Sequence, residues 1–96
     1  MQIRFSQDAQ TDLKRIRSFL FENYRPGANK FAKVLHGTLE KLVEQPRMGK
    51  QIKSVYSLYK IIVNFGSGSY VIYYRYLNDD LTILSVQHSK EDPKTF

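Results

Sequence analysis

The stretch VNFGSGSYVIYYRYLNDDLTILSVQH, residues 63–88, decides how the chain folds. It holds five aromatic rings and many β-branched residues, and two candidate turns interrupt it, Gly66-Ser67-Gly68 and Asn78-Asp79-Asp80. Apolar runs separated by short turns of this composition are typical of antiparallel hairpins. Working outward, the alternating segment just before the first turn also has the period of a strand. The sequence therefore predicts three consecutive strands, over residues 58–65, 69–76 and 81–86.

The glycines of the first turn have the composition of a phosphate loop but not its setting. A phosphate-binding glycine loop joins a strand to a helix, and the N-terminus of that helix holds the anion. Here Gly66 and Gly68 join one strand to the next. The segment is therefore interpreted as a hairpin turn and not as a nucleotide cradle.

The first half of the chain has the period of helices. Ser6 is a candidate N-cap, and after it an apolar stripe recurs at spacings of three and four: Ala9, Leu13, Ile16, Leu20 and Tyr24. The motif YRPG, residues 24–27, predicts a break near Asn23, because the residue before proline disfavours the helical region. A second stripe predicts a helix from near Ala28 that ends before Pro46: Phe31, Val34 or Leu35, Thr38 and Leu42.

Together with a short strand candidate at residues 2–5, these elements follow the order β-α-α-β-β-β. The predicted fold is α+β, a helical hairpin packed on one face of a small antiparallel sheet, and residues 1–96 are expected to form a single domain. The central strand has apolar side chains on both faces: Tyr70, Ile72, Tyr74 and Tyr76 on one, and Val71 and Tyr73 beside Arg75 on the other. A partner or a tail of the chain is therefore expected to cover the face that the helices leave open.

Charge and composition limit the classes of function. The formal net charge is +6 and the pI is about 9.7, which favours RNA, DNA or an acidic protein as partner. The chain has no cysteine, and His36 and His88 lie far apart, so we expect no disulfide, metal site or cofactor. No segment has the pattern of a signal peptide or a membrane span, and a cytoplasmic location is expected.

Several short motifs, in order along nearly the whole chain, resemble the RelE/ParE superfamily of bacterial toxins. They are A-x-x-DL-x-x-I, L-x-x-x-P-x-x-G, FG-x-x-x-YV-x-x-YR and IL-x-V-x-H. The residues are Ala9, Asp12, Leu13 and Ile16; Leu42, Pro46 and Gly49; Phe65, Gly66, Tyr70, Val71, Tyr74 and Arg75; and Ile83, Leu84, Val86 and His88. The long helical hairpin resembles the ParE side of the superfamily more than the RelE side.

The resemblance implies a toxin of a type II toxin–antitoxin system, neutralised by a cognate acidic antitoxin. ParE-like members inhibit DNA gyrase by binding and perform no chemistry, whereas RelE-like members are endoribonucleases that cut mRNA on the ribosome. The leading hypothesis is a ParE-like gyrase inhibitor, and the alternative is the ribosome-dependent endoribonuclease. A third possibility is a family member that retains antitoxin binding alone. Because one fold serves both activities, the choice depends on the chemistry of the site.

RNA cleavage of the RelE kind requires proton transfer and cations around the phosphate. The residues that the resemblance offers for this work are Lys60, Arg75, His88 and Lys90. The set is incomplete, because Ser89 follows His88 where an arginine is common, and the sequence ends in Phe96 without the expected tyrosine. The acidic pair Glu91-Asp92 would also repel RNA.

Two further groups are candidates for contact with other molecules. The connection after the second helix carries a basic cluster, Arg47, Lys50 and Lys53, which is predicted to contact DNA, RNA or an acidic target. Antitoxin contact is predicted at the end of the first helix and on the aromatic central strand, through Leu20, Tyr24, Tyr70, Ile72 and Tyr74.

Overall fold

The computed structural model describes residues 2–66 and 68–94, and within them it contains two helices and five strands. The elements are β1 (Gln2–Phe5), α1 (Gln7–Asn23), α2 (Arg25–Glu44), β2 (Lys50–Gln51), β3 (Leu58–Phe65), β4 (Gly68–Leu77) and β5 (Asp80–His88). The helices pack against one face of a sheet with strand order β1-β5-β4-β3-β2, which confirms the predicted α+β class. Ser67 of the first predicted turn and the C-terminal Phe96 lie outside the described residues.

The sheet is mixed, whereas the sequence predicted antiparallel pairing throughout. β3, β4 and β5 form the predicted antiparallel meander, but β1 pairs parallel with β5, Gln2 opposite Asp80 through Phe5 opposite Ile83. The helical hairpin carries the chain from β1 to the far side of the sheet, and the meander then returns to β1 with β5 in the same direction. β2 was not predicted, since two residues are too few to show an alternation.

α1 begins as predicted, and its cap also fixes the helix to the sheet. The Ser6 hydroxyl accepts a hydrogen bond from the Ala9 N–H at 3.0 Å, as an N-cap side chain does. The same hydroxyl donates to the Leu84 carbonyl at 2.8 Å, and the Ser6 N–H donates to the Ile83 carbonyl at 2.9 Å. The N-terminus of α1 is therefore held on β5 just beyond the end of β1.

The helices are joined by a single residue, Tyr24, so α2 begins at Arg25 rather than near Ala28. Pro26 lies in the first turn of α2, where a backbone N–H has no helical partner and its absence costs nothing. Gly27 is buried beneath the Tyr24 ring, and a Cβ there would lie 2.9 Å from Tyr24 Cδ2. The YRPG motif therefore makes a sharp corner between the helices instead of a loop.

The core lies between the helices and the facing side of β3, β4 and β5. It contains Ala9, Ile16, Leu20, Phe31, Leu42, Tyr59, Val63, Tyr70, Ile72, Tyr74, Leu81, Ile83 and Val86. Phe31 of α2 packs edge-on against Tyr70, with ring centroids 5.0 Å apart. The predicted stripes of both helices supply this packing, except that Tyr24 is 56% exposed.

The opposite face of the sheet is covered in part by the chain's own C-terminal segment. The Gln87 side-chain amide donates to the Asp92 carbonyl at 2.7 Å, and the Lys94 N–H donates to the Tyr73 hydroxyl at 3.3 Å. Tyr73 and Gln87 are buried as a result, at 4% and 2% exposure. The sequence predicted that either a partner or a tail of the chain covers this face, and the tail covers this part of it.

Asp12 connects the middle of α1 to β5. Its Oδ2 accepts hydrogen bonds from the Ser85 hydroxyl at 2.8 Å and from the Val86 N–H at 3.0 Å. These groups lie next to a bulge where the register between β4 and β5 shifts, so the Val86 N–H is satisfied by a side chain. The A-x-x-DL-x-x-I motif therefore has a structural role, as Ala9 and Ile16 fill the core on either side of this contact.

We predict that Asp12→Ala lowers the free energy of unfolding by about 2 kcal/mol, because it leaves a buried N–H without an acceptor. Urea denaturation followed by circular dichroism measures the change. Glu22→Ala removes an exposed carboxylate from the same helix and is the control, with an expected change within about 0.5 kcal/mol. Equal midpoints for the two variants would show that the Asp12 contact contributes nothing.

Candidate functional site

The connection between α2 and β3 is fixed to the sheet through Gly49. The Gly49 N–H donates to the hydroxyl of Tyr74, a side chain with no exposed surface, at 3.0 Å. A Cβ at Gly49 would lie 2.6 Å from that hydroxyl and 2.7 Å from the Lys60 carbonyl oxygen, closer than a side chain can approach. The L-x-x-x-P-x-x-G motif thus combines a core leucine, a helix terminator and a glycine required by close contact.

Tyr74 is held in its neutral form. Burial raises the pKa of its hydroxyl; the hydrogen bond from Gly49 lowers it, and the neighbouring Tyr59 raises it. The Tyr74 and Tyr59 rings stack with centroids 5.3 Å apart and an interplanar angle of 13°. The hydroxyl is therefore a fixed, neutral acceptor for the Gly49 N–H at neutral pH.

The position of the connection brings Arg47 to the end of the sheet. Its guanidinium lies over the Tyr76 ring, 4.9 Å from the centroid, and the Tyr76 hydroxyl donates to Asp79 Oδ1 at 3.3 Å. A pocket of about 530 Å³ opens here. We call it the tyrosine pocket, and its lining is Arg47, Gln51, Tyr56, Ser57, Tyr59, Tyr76, Leu77, Asn78 and Asp79.

Lys50 lies on the other side of the sheet edge from this pocket. It is directly opposite Lys60 in the pairing of β2 with β3, so the two side chains share a face. Like charges opposite each other destabilise a sheet unless an anion relieves the repulsion. Arg75 belongs to the same face, where its Nε donates to the Ser57 hydroxyl at 3.1 Å. This group, Lys50, Lys60 and Arg75, is the cationic face.

The predicted target cluster is therefore divided at one end of the sheet. Arg47 borders the tyrosine pocket, Lys50 belongs to the cationic face, and Lys53 is exposed in the turn that follows β2.

The residues predicted for RNA cleavage are divided between the two faces of the sheet. His88 is opposite Tyr70, and the two rings meet edge to face with centroids 5.2 Å apart on the side of the helices. Lys60 and Arg75 lie on the opposite side, because strand residues alternate between faces. His88 Nδ1 also accepts a hydrogen bond from the Lys90 N–H at 3.1 Å. An imidazole on one face cannot exchange protons with a phosphate held on the other.

Four of the five residues predicted for antitoxin contact are buried in the core. Leu20, Tyr70, Ile72 and Tyr74 are between 0 and 9% exposed and face the opposing layer of the fold. The sequence could not show which face of β4 the helices cover, because tyrosine and aliphatic side chains alternate on both of its sides and only packing distinguishes them. Tyr24 alone remains accessible, at 56%.

The sequence interpretation missed a groove on the outer side of the helical hairpin. Its volume is about 540 Å³, and its lining is Lys14, Arg17, Ser18, Phe21, Glu22, Ala28, Asn29 and Ala32. Phe21 is 53% exposed and lies beneath the Arg25 guanidinium, which is 4.5 Å from the ring centroid. The available signal was that Phe19 and Phe21 lie off the apolar stripe of α1, with Phe19 61% exposed.

A second groove, also missed, runs between α2 and the outer edge of β3. Two adjoining pockets of about 440 and 600 Å³ form it, lined by Tyr24, Lys30, Lys33, Val34, Gly37, Thr38, Lys41, Met48, Ile61, Ile62, Val63, Asn64, Phe65 and Gly66. Within the described residues, β2 covers β3 only at Tyr59 and Lys60. The edge beyond them is open, and Ile62 is 61% exposed there.

Two absences apply to residues 2–66 and 68–94. None of their helices is long and apolar enough to cross a membrane. They also contain no group of three or more His, Asp or Glu side chains placed to hold a metal ion.

Comparison with known proteins relates this architecture to one family. The model of the family described as "ParE toxin of type II toxin-antitoxin system, parDE" matches residues 3–93. The chain is similar to the structure of the chromosomal ParDE system from P. aeruginosa, with a TM-score of 0.70, 16% identity and coverage of 92% of this chain and 95% of that one. No curated protein sequence matches the chain.

Two structures from E. coli also share the fold. The intact RelBE toxin–antitoxin complex gives a TM-score of 0.62, with 19% identity over 93% of this chain and 96% of that one. The isolated RelE toxin gives 0.63, with 19% identity over 94% of this chain and 85% of that one. At these identities the two likenesses concern the fold alone.

We predict that Tyr74→Phe lowers the free energy of unfolding by about 1–3 kcal/mol at neutral pH, because the Gly49 N–H loses its acceptor. The raised pKa of Tyr74 also stabilises the folded state below the ordinary tyrosine pKa of about 10, and this contribution is lost as pH rises beyond it. The decline of stability above pH 10 should therefore be shallower in the variant.

Chemical denaturation at a series of pH values tests both parts of this prediction. Tyr24→Phe removes an exposed hydroxyl and serves as the control, with a stability curve that follows the parent protein. The prediction fails if Tyr74→Phe has the same midpoint as the parent at neutral pH.

Proposed function

Because the chain belongs to the ParE toxin family of type II toxin–antitoxin systems, we propose that it inhibits DNA gyrase by binding and that a cognate acidic antitoxin neutralises it. The observation that carries this proposal is the separation of His88 from Lys60 and Arg75 across the sheet. A binding toxin does not need these groups together, whereas an RNA-cleaving site of the RelE kind does. We place both partners in the cytoplasm, where gyrase acts.

One observation favours the alternative of a ribosome-dependent mRNA endoribonuclease. The cationic face brings Lys50 opposite Lys60, with Arg75 on the same side, and such a group could stabilise the charge on a phosphate. Cations alone do not complete the chemistry, because a proton must leave the 2′-hydroxyl and another must reach the leaving oxygen. The C-terminal segment across Tyr73 and Gln87 further narrows access to this face.

Purified protein incubated with gyrase, ATP and supercoiled plasmid tests the leading proposal, beside a translation reaction analysed for cut mRNA. Linear plasmid, produced when gyrase is trapped with cleaved DNA, supports gyrase as the target. Site-specific cuts in ribosome-bound mRNA with intact plasmid would establish the endoribonuclease instead. Antitoxin binding without either effect would identify a family member that has kept antitoxin binding and lost its toxic activity.

The antitoxin-binding surface that we propose is the pair of grooves along the helical hairpin. The outer groove is lined by the apolar side chains of Phe21 and Ala28 together with the cations Lys14 and Arg17, which suits an acidic amphipathic helix. The groove beside β3 offers Lys33 and Lys41 next to an open strand edge. An extended acidic segment can pair with that edge while its carboxylates meet the lysines.

We predict that Lys60→Ala and His88→Ala, made separately, each leave toxicity within a few-fold of the parent. A general acid or base contributes about 10²–10⁴-fold, and a toxin that acts by binding has no such group to lose. Growth inhibition on induction, with expression matched by immunoblot, is the measurement. A hundredfold loss in either variant, with its circular dichroism spectrum unchanged, would favour the endoribonuclease.

We also predict that two charge-matched double variants separate the surfaces. Lys14→Ala with Arg17→Ala should slow antitoxin association and leave gyrase inhibition intact, since both residues line the outer groove. Arg47→Ala with Lys50→Ala should weaken gyrase inhibition and leave antitoxin binding intact. Each variant removes two positive charges, so a general charge effect would change both readouts equally.

Kinetic measurements on the antitoxin test the role of charge directly. Surface-plasmon association should slow as salt is raised, with a much smaller change in dissociation, because charge mainly accelerates encounter. An association rate independent of salt would contradict this account of the +6 charge.

A further inference from the structure

We propose that the tyrosine pocket binds one unpaired nucleotide of a nucleic acid strand. The pocket is at the end of the sheet, between the connection that follows α2 and the turn between β4 and β5. The inference rests on the proposed function and deepens it, since a toxin that traps gyrase with cleaved DNA acts beside DNA strands. It concerns only the tyrosine pocket, and the grooves along the helical hairpin have no part in it.

The aromatic groups of the pocket provide surfaces on which a base can stack. Tyr56 is 76% exposed, the most exposed large apolar side chain in the described part of the chain. Tyr76 forms a second surface, already stacked against the Arg47 guanidinium. Bases stack on tyrosine rings and on guanidinium planes irrespective of sequence, and such contacts are common in proteins that bind single strands.

The backbone between these rings is fixed at Ser57. Ser57 is buried, at 4% exposure, and has a φ of 63°, which is unfavourable for a residue with a side chain. Its carbonyl accepts a hydrogen bond from the Tyr76 N–H at 3.1 Å, and its hydroxyl accepts one from Arg75 at 3.1 Å. These contacts maintain the strained conformation that directs the chain from Tyr56 into β3, and stored backbone strain is a feature of binding sites.

The polar lining is suited to the edge of a base. Gln51 and Asn78 bring side-chain amides, which can both donate and accept, and Asp79 brings a carboxylate. Amide and carboxylate groups recognise the amino, imino and carbonyl groups of bases. The volume of about 530 Å³ is in the range of small-molecule sites.

The distribution of charge indicates how the nucleotide enters. Arg47 has no carboxylate within ion-pair distance among the described residues, so its N–H groups are available to a phosphate. Asp79 would repel a phosphate and accept from a base N–H. The base therefore occupies the end near Asp79, and the phosphate lies toward Arg47. An acidic peptide would meet the Asp79 carboxylate and would make little use of the flat ring surfaces.

Fluorescence anisotropy with a short labelled single-stranded DNA tests the inference, with the same sequence as a duplex and as RNA for comparison. We expect the single strand to bind more tightly than the duplex. Tyr56→Ala should weaken binding by about tenfold, as expected for the loss of one stacked base. Phe19→Ala removes a comparably exposed ring outside the pocket and should leave binding unchanged.

Arg47→Ala and its charge-matched control Arg17→Ala separate the pocket from the general attraction of a basic protein. Arg47→Ala should weaken binding more than Arg17→Ala at equal salt. Tyr56-dependent binding of DNA identifies DNA as the source of the nucleotide, and Tyr56-dependent binding of RNA alone identifies RNA. Equal affinity for single strand and duplex, or equal effects of Tyr56→Ala and Phe19→Ala, would overturn the inference.

The binding assay contains no gyrase, so its outcome is independent of the gyrase proposal. Gyrase inhibition without Tyr56-dependent oligonucleotide binding would overturn the pocket and leave the proposed function standing. Tyr56-dependent binding without gyrase inhibition would support the pocket and contradict the proposed function.

Discussion

The hydrogen bond between the Gly49 N–H and the buried Tyr74 hydroxyl is the constraint on which the end of the molecule with the tyrosine pocket depends. A phenol with no exposed surface needs a partner, and the close approach of Gly49 supplies one without a side chain to obstruct it. The connection after α2 is thereby held against the sheet, where Arg47 reaches the Tyr76 ring. Tyr74, a side chain buried in the core, thus determines where the exposed Arg47 guanidinium lies.

The alternation of side chains along β4 gives the two faces of the sheet different roles. Tyr70 and Tyr74 belong to the helix side and form the core, whereas Tyr73 and Arg75 belong to the opposite side. His88 follows Tyr70 to the helix side, and this parity separates it from the lysines and arginines that resemble a ribonuclease set. Shared motifs in one fold are thus compatible with different activities, since one strand position decides which groups meet.

The sequence predicted most of the fold, because the spacing of apolar residues in long segments distinguishes helices from strands. The end of α1 at Asn23 and the bounds of β3 agree with the prediction, and the A-x-x-DL-x-x-I motif marks a real contact between α1 and β5. The covered face of β4 could not be predicted, because both of its faces are apolar and aromatic. The groove beside β3 and the tyrosine pocket were also beyond reach, since each joins segments far apart in the chain. The outer groove lies between two consecutive helices, and Phe21, off the apolar stripe of α1, was its signal in the sequence.

The parallel pairing of β1 with β5 has a consequence for protein synthesis. The first strand cannot pair until the last strand has been synthesised. Residues 2–5 pair with residues 80–83, and Asp12 accepts hydrogen bonds from Ser85 and Val86. The helical hairpin, with its one-residue link, depends on local contacts and can form early. The sheet that holds the tyrosine pocket therefore cannot be completed until residues 80–88 have been synthesised and have left the ribosome.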